Sequence, residues 1–182
     1  ELKGIALAGV MCGQNTEINE RTVDVLIESA YFKPANIRRT AKALGLRTDA
    51  SYRFERGADI GITDWASLRC AQLILTTAGG QLADGAVDAY PQPAVPKHIT
   101  LRCHKTTALL GVEVPPPRQA QFLMRLGLQL AGEAGFQPTS SFDTSVIVGQ
   151  PDAHPTFTFR IPTWRVDLKR ETDLIEEVER LY

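Results

Sequence analysis

The sequence predicts an α+β chain in two units: a partial mixed α/β unit over 1–90, a proline-rich linker at 91–97, and a small α+β unit over 98–182. Three observations predict it. Ala89-Tyr-Pro91-Gln-Pro93-Ala-Val-Pro96 holds prolines that neither a helix interior nor a central strand accepts, and that favour an extended spacer. On both sides of that spacer, short apolar runs bounded by Gly or Pro alternate with segments of helical spacing. The 182 residues are 43% hydrophobic and 23% charged, which is globular composition with material for one domain or two small ones.

In the first unit, the apolar run Leu2 to Met11 reads as a buried strand and Val23 to Phe32 as a second. Pro34 suits the first position of a helix over 35–44, and Gly45 its C′ position. Asp64 is placed to cap a helix from Trp65 to Ala78, which Gly79-Gly80 ends. Trp65, Leu68, Ala71, Leu75 and Ala78 give that helix its apolar spacing. Gln81 to Ala89 reads as a short closing strand.

In the second unit, Ile99 to Arg102 is a short strand, and His104–Leu110 and Pro116–Leu126 are helices, each followed by Gly. Leu128–Leu130 and Thr156–Ile161 are strands flanking a Gly/Pro/Ser-rich insertion near 132–155. Asp173–Tyr182 is the closing helix. Three helices with a two-stranded wing make a winged-helix-like outline. Helix 116–126 offers only Arg118 and Arg125, too few contacts for DNA readout.

A net charge of −1 argues against a uniformly basic nucleic-acid binder. No apolar run approaches the ~18 residues of a membrane span, and no signal-peptide pattern is visible. Cys12, Cys70 and Cys103 lack metal or CxxC spacing, so reduced thiols in a cytoplasmic protein are the simplest account. His98, His104 and His154 are equally scattered. The chain opens at Glu1 mid-pattern and stops at Tyr182 mid-helix, which reads as a piece of a longer polypeptide.

The densest chemistry is at the end. Asp167, Asp173, Glu176 and Glu177 are carboxylates around one helix, and residues three and four apart share a face. Leu174, Ile175, Val178 and Leu181 form the apolar stripe, leaving a wet face of concentrated negative charge. Oxygen ligands of that kind suit Mg²⁺. The structural alternative is equally specific: Asp173 as N-cap with Glu176 completing a capping box, and Glu176–Arg180 as an exposed pair.

The string Pro162-Thr-Trp-Arg-Val-Asp167, followed after five residues by Asp173-Leu-Ile-Glu-Glu-Val-Glu-Arg-Leu-Tyr182, resembles the phenylalanine–tRNA ligase beta subunit family. There the corresponding domain ends P-S-W-R-x-D-x5-D-L-I-E-E-V-x-R-x-Y-G. Leu26-Ile-Glu28-Ser-Ala-Tyr-Phe32 is similar to the family's L-L-E-x-A-x-F strand. Ile37-Arg-Arg-Thr40 and Gly45-Leu-Arg-Thr48-Asp-Ala50-Ser-Tyr-Arg53-Phe-Glu-Arg56-Gly57 are similar to its I-R-R-T and G-L-x-T-x-A-S-x-R-F-E-R-G strings. The resemblance implies the later part of a tRNA-editing domain followed by a winged-helix-like domain. It further implies a parent α2β2 enzyme that attaches phenylalanine to tRNA(Phe) with ATP and Mg²⁺. The synthetic site would lie on the alpha subunit. The four acids map onto the family's magnesium contacts.

In the first unit the resemblance assigns an editing pocket to Glu28, Thr48 and Ala50, with Glu28 recognising the para-hydroxyl of tyrosine wrongly attached to the tRNA. A site built to bind a hydroxyl rejects the analogue lacking it. The structural alternatives are a buried Glu28 satisfied by Arg53 or Arg56, a capping Thr48 and a packing Ala50. No nucleophile–base pair is evident, so hydrolysis would use a positioned water and the ribose hydroxyl. One departure stands out: the family's G-x-x-G-G appears as Gly9-Val-Met-Cys12-Gly13, and cysteine for glycine there implies crowding or strain. It keeps open a second reading, a non-catalytic RNA- or protein-binding module on the same scaffold. Between Lys33 and Arg56, basic residues outnumber Asp49 and Glu55, and Arg38, Arg39 and Lys42 lie near one helical face. They are either a solvated surface or phosphate contacts to the tRNA acceptor end.

Overall fold

The computed structural model describes residues 4–131 and 155–182, and these form an α+β chain in two compact units, 1–93 and 94–182. The insertion expected near 132–155 lies outside the described residues except for Pro155. No helix among the described residues is long and apolar enough to cross a membrane.

Unit 1 opens with a tight hairpin rather than the expected buried strand. Strands β1 (Ala6–Leu7) and β2 (Met11–Cys12) pair antiparallel, Ala6 opposite Cys12 and Leu7 opposite Met11. Gly9 interrupts the apolar run at φ +68°, and the Val10 amide closes the turn on the Leu7 carbonyl at 2.8 Å. A side chain at Gly9 would meet Ile37 Cδ1 at 2.7 Å and Phe32 Cδ2 at 2.8 Å, so sterics and backbone both require glycine. Only Val10 of the hairpin is buried.

The expected strands at 23–32 and 81–89 are also absent. Their β-forming residues are there, but a strand is a pairing, and no described residue completes a ladder with either. Val23 and Leu26 stand 89% and 93% exposed as a result.

Helix α1 (Pro34–Leu44) runs as expected, with Pro34 at its start and Gly45 closing it at φ +65°. Its buried residues, Ile37 and Ala41, are one turn apart. Helix α2 (Asp49–Phe54) follows, an element the sequence reading did not separate from its loop. A 3₁₀ turn at Ile60–Ile62, capped by the Asp59 carboxylate on the Gly61 amide at 2.8 Å, leads into helix α3 (Thr63–Ala78). Asp64 therefore lies inside the first turn and is not the cap, because the chain is already helical at Thr63.

Unit 2 has a single well-packed core. Strand β3 (Lys97–Arg102) turns Ile99 and Leu101 inward, and β5 (Thr156–Ile161) does the same with Phe157, Phe159 and Ile161. This alternation fixes an antiparallel register with Ile99 opposite Phe159 and Leu101 opposite Phe157. Strand β4 (Gln129–Leu130) adds to the other edge, giving the order β3-β5-β4. Helices α4 (Cys103–Leu110), α5 (Pro116–Arg125) and α6 (Glu171–Leu181) surround the sheet's apolar side. α5 buries Gln119, Ala120, Phe122 and Leu123, and α6 buries Leu174, Ile175, Glu177 and Val178. Leu181, expected on that stripe, is 41% exposed at the last turn.

Candidate functional site

Three contacts tie the elements around the unit 1 candidates to one another. The Gly9 turn rests on Phe32 and Ile37, and Phe32 meets Phe54 edge-on with ring centroids 4.9 Å apart. Thr48 is the N-cap of α2: its Oγ1 accepts the Ser51 amide at 3.1 Å and donates to the Val10 carbonyl at 2.5 Å. The Ser51 hydroxyl returns the favour by accepting the Thr48 amide at 2.9 Å, a reciprocal capping box. Hairpin turn, start of α1 and start of α2 are thereby tied to one another.

Of the pocket candidates, Thr48 is half-buried with its hydroxyl committed to the cap, and Ala50 is exposed on α2, where it packs no core. Glu28 differs from expectation. It is exposed, it lies in no strand, and Arg56 pairs with Glu55 instead. The cause is the unpaired 23–32 segment: with no neighbouring strand to cover it, the carboxylate stays in water. A cavity of about 340 Å³ lies between the hairpin and α1, lined in part by Leu7, Phe32, Lys33 and Asn36, and none of the three candidates lines it. Cys12 is exposed, and no described non-glycine residue has a positive φ, so the expected strain at Cys12 does not arise. Arg38, Arg39 and Lys42 are all exposed on α1. Arg38 Nη2 donates to the Glu55 carbonyl at 3.0 Å and Arg39 Nη2 to Asn36 Oδ1 at 3.3 Å.

The C-terminal acids do not share one wet face. Glu177 is turned inward and 8% exposed. Arg165 spans the gap: its Nη2 reaches Glu177 Oε1 at 2.8 Å and Asp167 Oδ2 at 2.6 Å, while its Nε bonds Asp167 Oδ1 at 2.9 Å. Hydrogen bonding to Arg165 holds the Asp167 carboxyl below the usual range, and the same bonds push the guanidinium up. Asp173 is the third helical residue rather than the cap. Its carboxylate folds back onto the amides of Lys169 at 2.6 Å and Arg170 at 2.8 Å, which lowers its pKa. The Arg170 amide is an orphan donor at the N-cap, which Asp173 satisfies as half of a capping box, and Lys169 is the residue just before it. Glu176 is exposed and apart.

This arrangement does not fit a divalent cation. A guanidinium sits between Asp167 and Glu177, the Asp173 oxygen is taken by backbone donors, and no three His, Cys, Asp or Glu among the described residues are grouped to hold a metal ion. The residue that organises the cluster, Arg165, was visible in the sequence string but carried no signal by spacing. Only the inward turn of Glu177 reveals it.

A second charged clasp was not anticipated. Glu171 Oε1 accepts the Arg102 amide at 2.9 Å and its Nε at 3.0 Å, and Glu171 Oε2 accepts Arg102 Nη2 at 2.6 Å and Lys105 Nζ at 2.9 Å. The Arg102 bonds, with Lys105 assisting, hold the Glu171 carboxyl down to about 2. A depressed folded-state pKa contributes stability that is present above the ordinary carboxylate range and is lost as pH falls through the folded value. Glu171→Gln should therefore flatten the decline in stability between about pH 4.5 and 2 relative to wild type. Urea melts across that window check it, and parallel curves for the two proteins would remove the clasp from the acid limb. Burial pushes the Cys103 thiol up to about 11, so it is an inert core residue.

Comparison with known proteins places two family models on the chain in order: the B3/4 domain over residues 1–79 and the tRNA synthetase B5 domain over 99–182. The phenylalanine–tRNA ligase beta subunit of Salinibacter ruber is 47% identical over 178 residues, 98% of this chain and 19% of that protein. Its counterpart in Geobacter metallireducens is 42% identical over 179 residues, 98% of this chain and 20% of that protein. That of Porphyromonas gingivalis is 36% identical over 178 residues, again 98% of this chain and 19% of the relative. The chain spans about a fifth of the length of the curated relatives it matches.

Proposed function

The chain belongs to the phenylalanine–tRNA ligase beta subunit family, and from that premise we propose that it serves hydrolytic editing of tyrosyl-tRNA(Phe) within an enzyme that attaches phenylalanine to tRNA(Phe). The observation that carries the reading is the unbroken likeness, through a B3/4 and then a B5 domain, to proteins of that one name. The partners would be an alpha subunit in an α2β2 assembly, and tRNA(Phe). The whole enzyme would consume ATP with Mg²⁺ in the cytoplasm. No ATP or magnesium contact is assigned to these residues. Unit 2 would be a winged-helix-like support for the assembly.

In the editing step, the chain's own residues would select the substrate. Glu28 would accept the tyrosine hydroxyl, Ala50 would leave room for the ring, and Thr48 would act by holding α2 against the Val10 turn. Because the Thr48 hydroxyl is already committed, its part is positioning. Water attack on the ester would rely on orientation by the pocket and the ribose hydroxyl. The test is the deacylation rate of the full-length subunit with its alpha partner on tyrosyl- and phenylalanyl-tRNA(Phe). A clear preference for the tyrosyl ester is expected, and equal rates would sink the assignment. The unstrained, exposed Cys12 gives the non-catalytic alternative no support.

The α1 cations supply the RNA side of the proposal. Neutralising Arg38, Arg39 and Lys42 together should weaken tRNA binding and reduce the slope of log K against log salt by up to roughly 3, since each phosphate contact contributes nearly one. Selectivity for tyrosine should persist. An unchanged slope would make these residues an ordinary solvated surface.

A further inference from the structure

We propose that Tyr52 and Arg56 form a stacking platform for one unpaired base of an RNA strand. The Arg56 Cζ lies 3.6 Å from the centroid of the Tyr52 ring. Its Nη1 donates to the Tyr52 carbonyl at 2.7 Å and pairs with Glu55 Oε1 at 2.9 Å, so the guanidinium is fixed by its edge as well as by the ring. Yet Tyr52 remains 60% exposed and the Arg56 side chain 53% exposed. Two flat π surfaces are thus stacked and hydrogen-bonded to each other's residue, each with more than half of its area open to solvent. Ordering a long side chain costs rotamer entropy, which the ring contact and the two hydrogen bonds of Arg56 offset before any ligand arrives.

The surroundings identify the occupant. Glu55 links the platform to α1, for Arg38 reaches the Glu55 carbonyl while Arg56 holds the Glu55 carboxylate. The Glu55 carboxylate is therefore neutralised, exposed Asp49 stands one turn before Tyr52 at the start of α2, and exposed Arg53, Arg39 and Lys42 outnumber it on the two helices that Glu55 joins. An exposed aromatic–guanidinium stack flanked by cations is the combination that binds single-stranded nucleic acid: bases stack on the planes and phosphates meet the charges. An acidic protein partner would use the cations and leave the planes idle. Tyr52 lies on the same short helix as Ala50 and next to the Thr48 cap, so a base held there belongs to the unpaired 3′ end delivered to the proposed pocket. The identity of the RNA rests on the reading above; the platform itself rests on the geometry.

The experiment measures binding of the full-length subunit, with its alpha partner, to tRNA(Phe) carrying an abasic nucleotide at each unpaired 3′ position in turn. One abasic position should weaken wild-type binding on the order of tenfold. Tyr52→Ala should lose a similar factor with intact tRNA and nothing further with that abasic tRNA. Tyr52→Phe should bind as wild type, which guards against misfolding, whereas Arg56→Lys should behave like Tyr52→Ala because charge without a plane cannot stack. Equal losses for intact and all abasic tRNAs, no loss at all, or a defect only in binding the alpha subunit would overturn the platform. Base-dependent losses in an enzyme without tyrosine preference would uphold the platform and overturn the editing reading. The converse pattern would do the reverse.

Discussion

Replacing Arg165 by methionine should destabilise unit 2 by about 3–5 kcal/mol, the range seen when one partner of a buried ion pair is removed. The Arg165 and Glu177 side chains are 12% and 10% exposed, and the bond between them is 2.8 Å. Without the guanidinium, Glu177 is left inside the α6 packing surface with only Arg180 at 3.4 Å, a side chain that is itself 67% exposed. The contribution of Asp167 is much smaller, because it is 57% exposed and its pair with Arg165 is screened by water. Asp167→Asn should therefore cost less than about 1 kcal/mol. The double change Arg165→Met with Glu177→Leu should recover most of the loss, since a buried pair replaced by apolar residues is often neutral. Urea unfolding at neutral pH reads all three variants. A single Arg165→Met variant within about 0.5 kcal/mol of wild type would show that the clasp is ornamental. The same melts bear on the metal expectation: a cluster centred on a guanidinium predicts that millimolar Mg²⁺ leaves stability unchanged, whereas ligand binding at that site would raise it.

The limits of the sequence reading follow from which signals are local. Helix α1 was legible because Pro34 and Gly45 mark its two ends by backbone chemistry alone. β3 and β5 were legible because alternation with period two needs no partner to be recognised. Residues 23–32 show the converse. Their composition is that of a strand, but the pairing that makes a strand is a property of neighbours, and none is among the described residues. The expected shared wet face of the acids is absent for a finer reason. Glu176 and Glu177 are both neighbours of Asp173, yet successive residues differ by about 100° around a helix. One can therefore face water while the other faces the core, and Glu177 takes the inward course beside Leu174 and Val178. Asp173 then serves the helix start, where unpaired amides compete for any carboxylate within reach. Spacing counted the right acids; it could not say which of them a neighbouring arginine would claim.

Glu28→Ala should reduce the ratio of tyrosyl- to phenylalanyl-tRNA(Phe) deacylation by about a hundredfold or more. A hydrogen bond to a charged group contributes a net ~1.5–3 kcal/mol, and a site dedicated to a hydroxyl discriminates by roughly 10⁴–10⁵ when fully dry. The effect should fall on the tyrosyl substrate alone, because phenylalanine offers Glu28 nothing to bond. Glu28→Gln should keep part of the preference, since a neutral acceptor forms the weaker bond. The exposure of Glu28 sharpens the expectation. A carboxylate in water exchanges one partner for another with little gain, so the preference can be large only if the bound tyrosine ring and the polypeptide around 23–32 exclude solvent. That dependence supplies a second check: covering the exposed Val23 and Leu26 should accompany activity, and polar replacement of Leu26 should lower the tyrosine preference without touching Glu28. Kinetics of the full-length subunit with its alpha partner, measured as kcat/KM for each ester, read both effects. If Glu28→Ala slows the two esters equally, the carboxylate has a structural part and selection of the hydroxyl lies elsewhere.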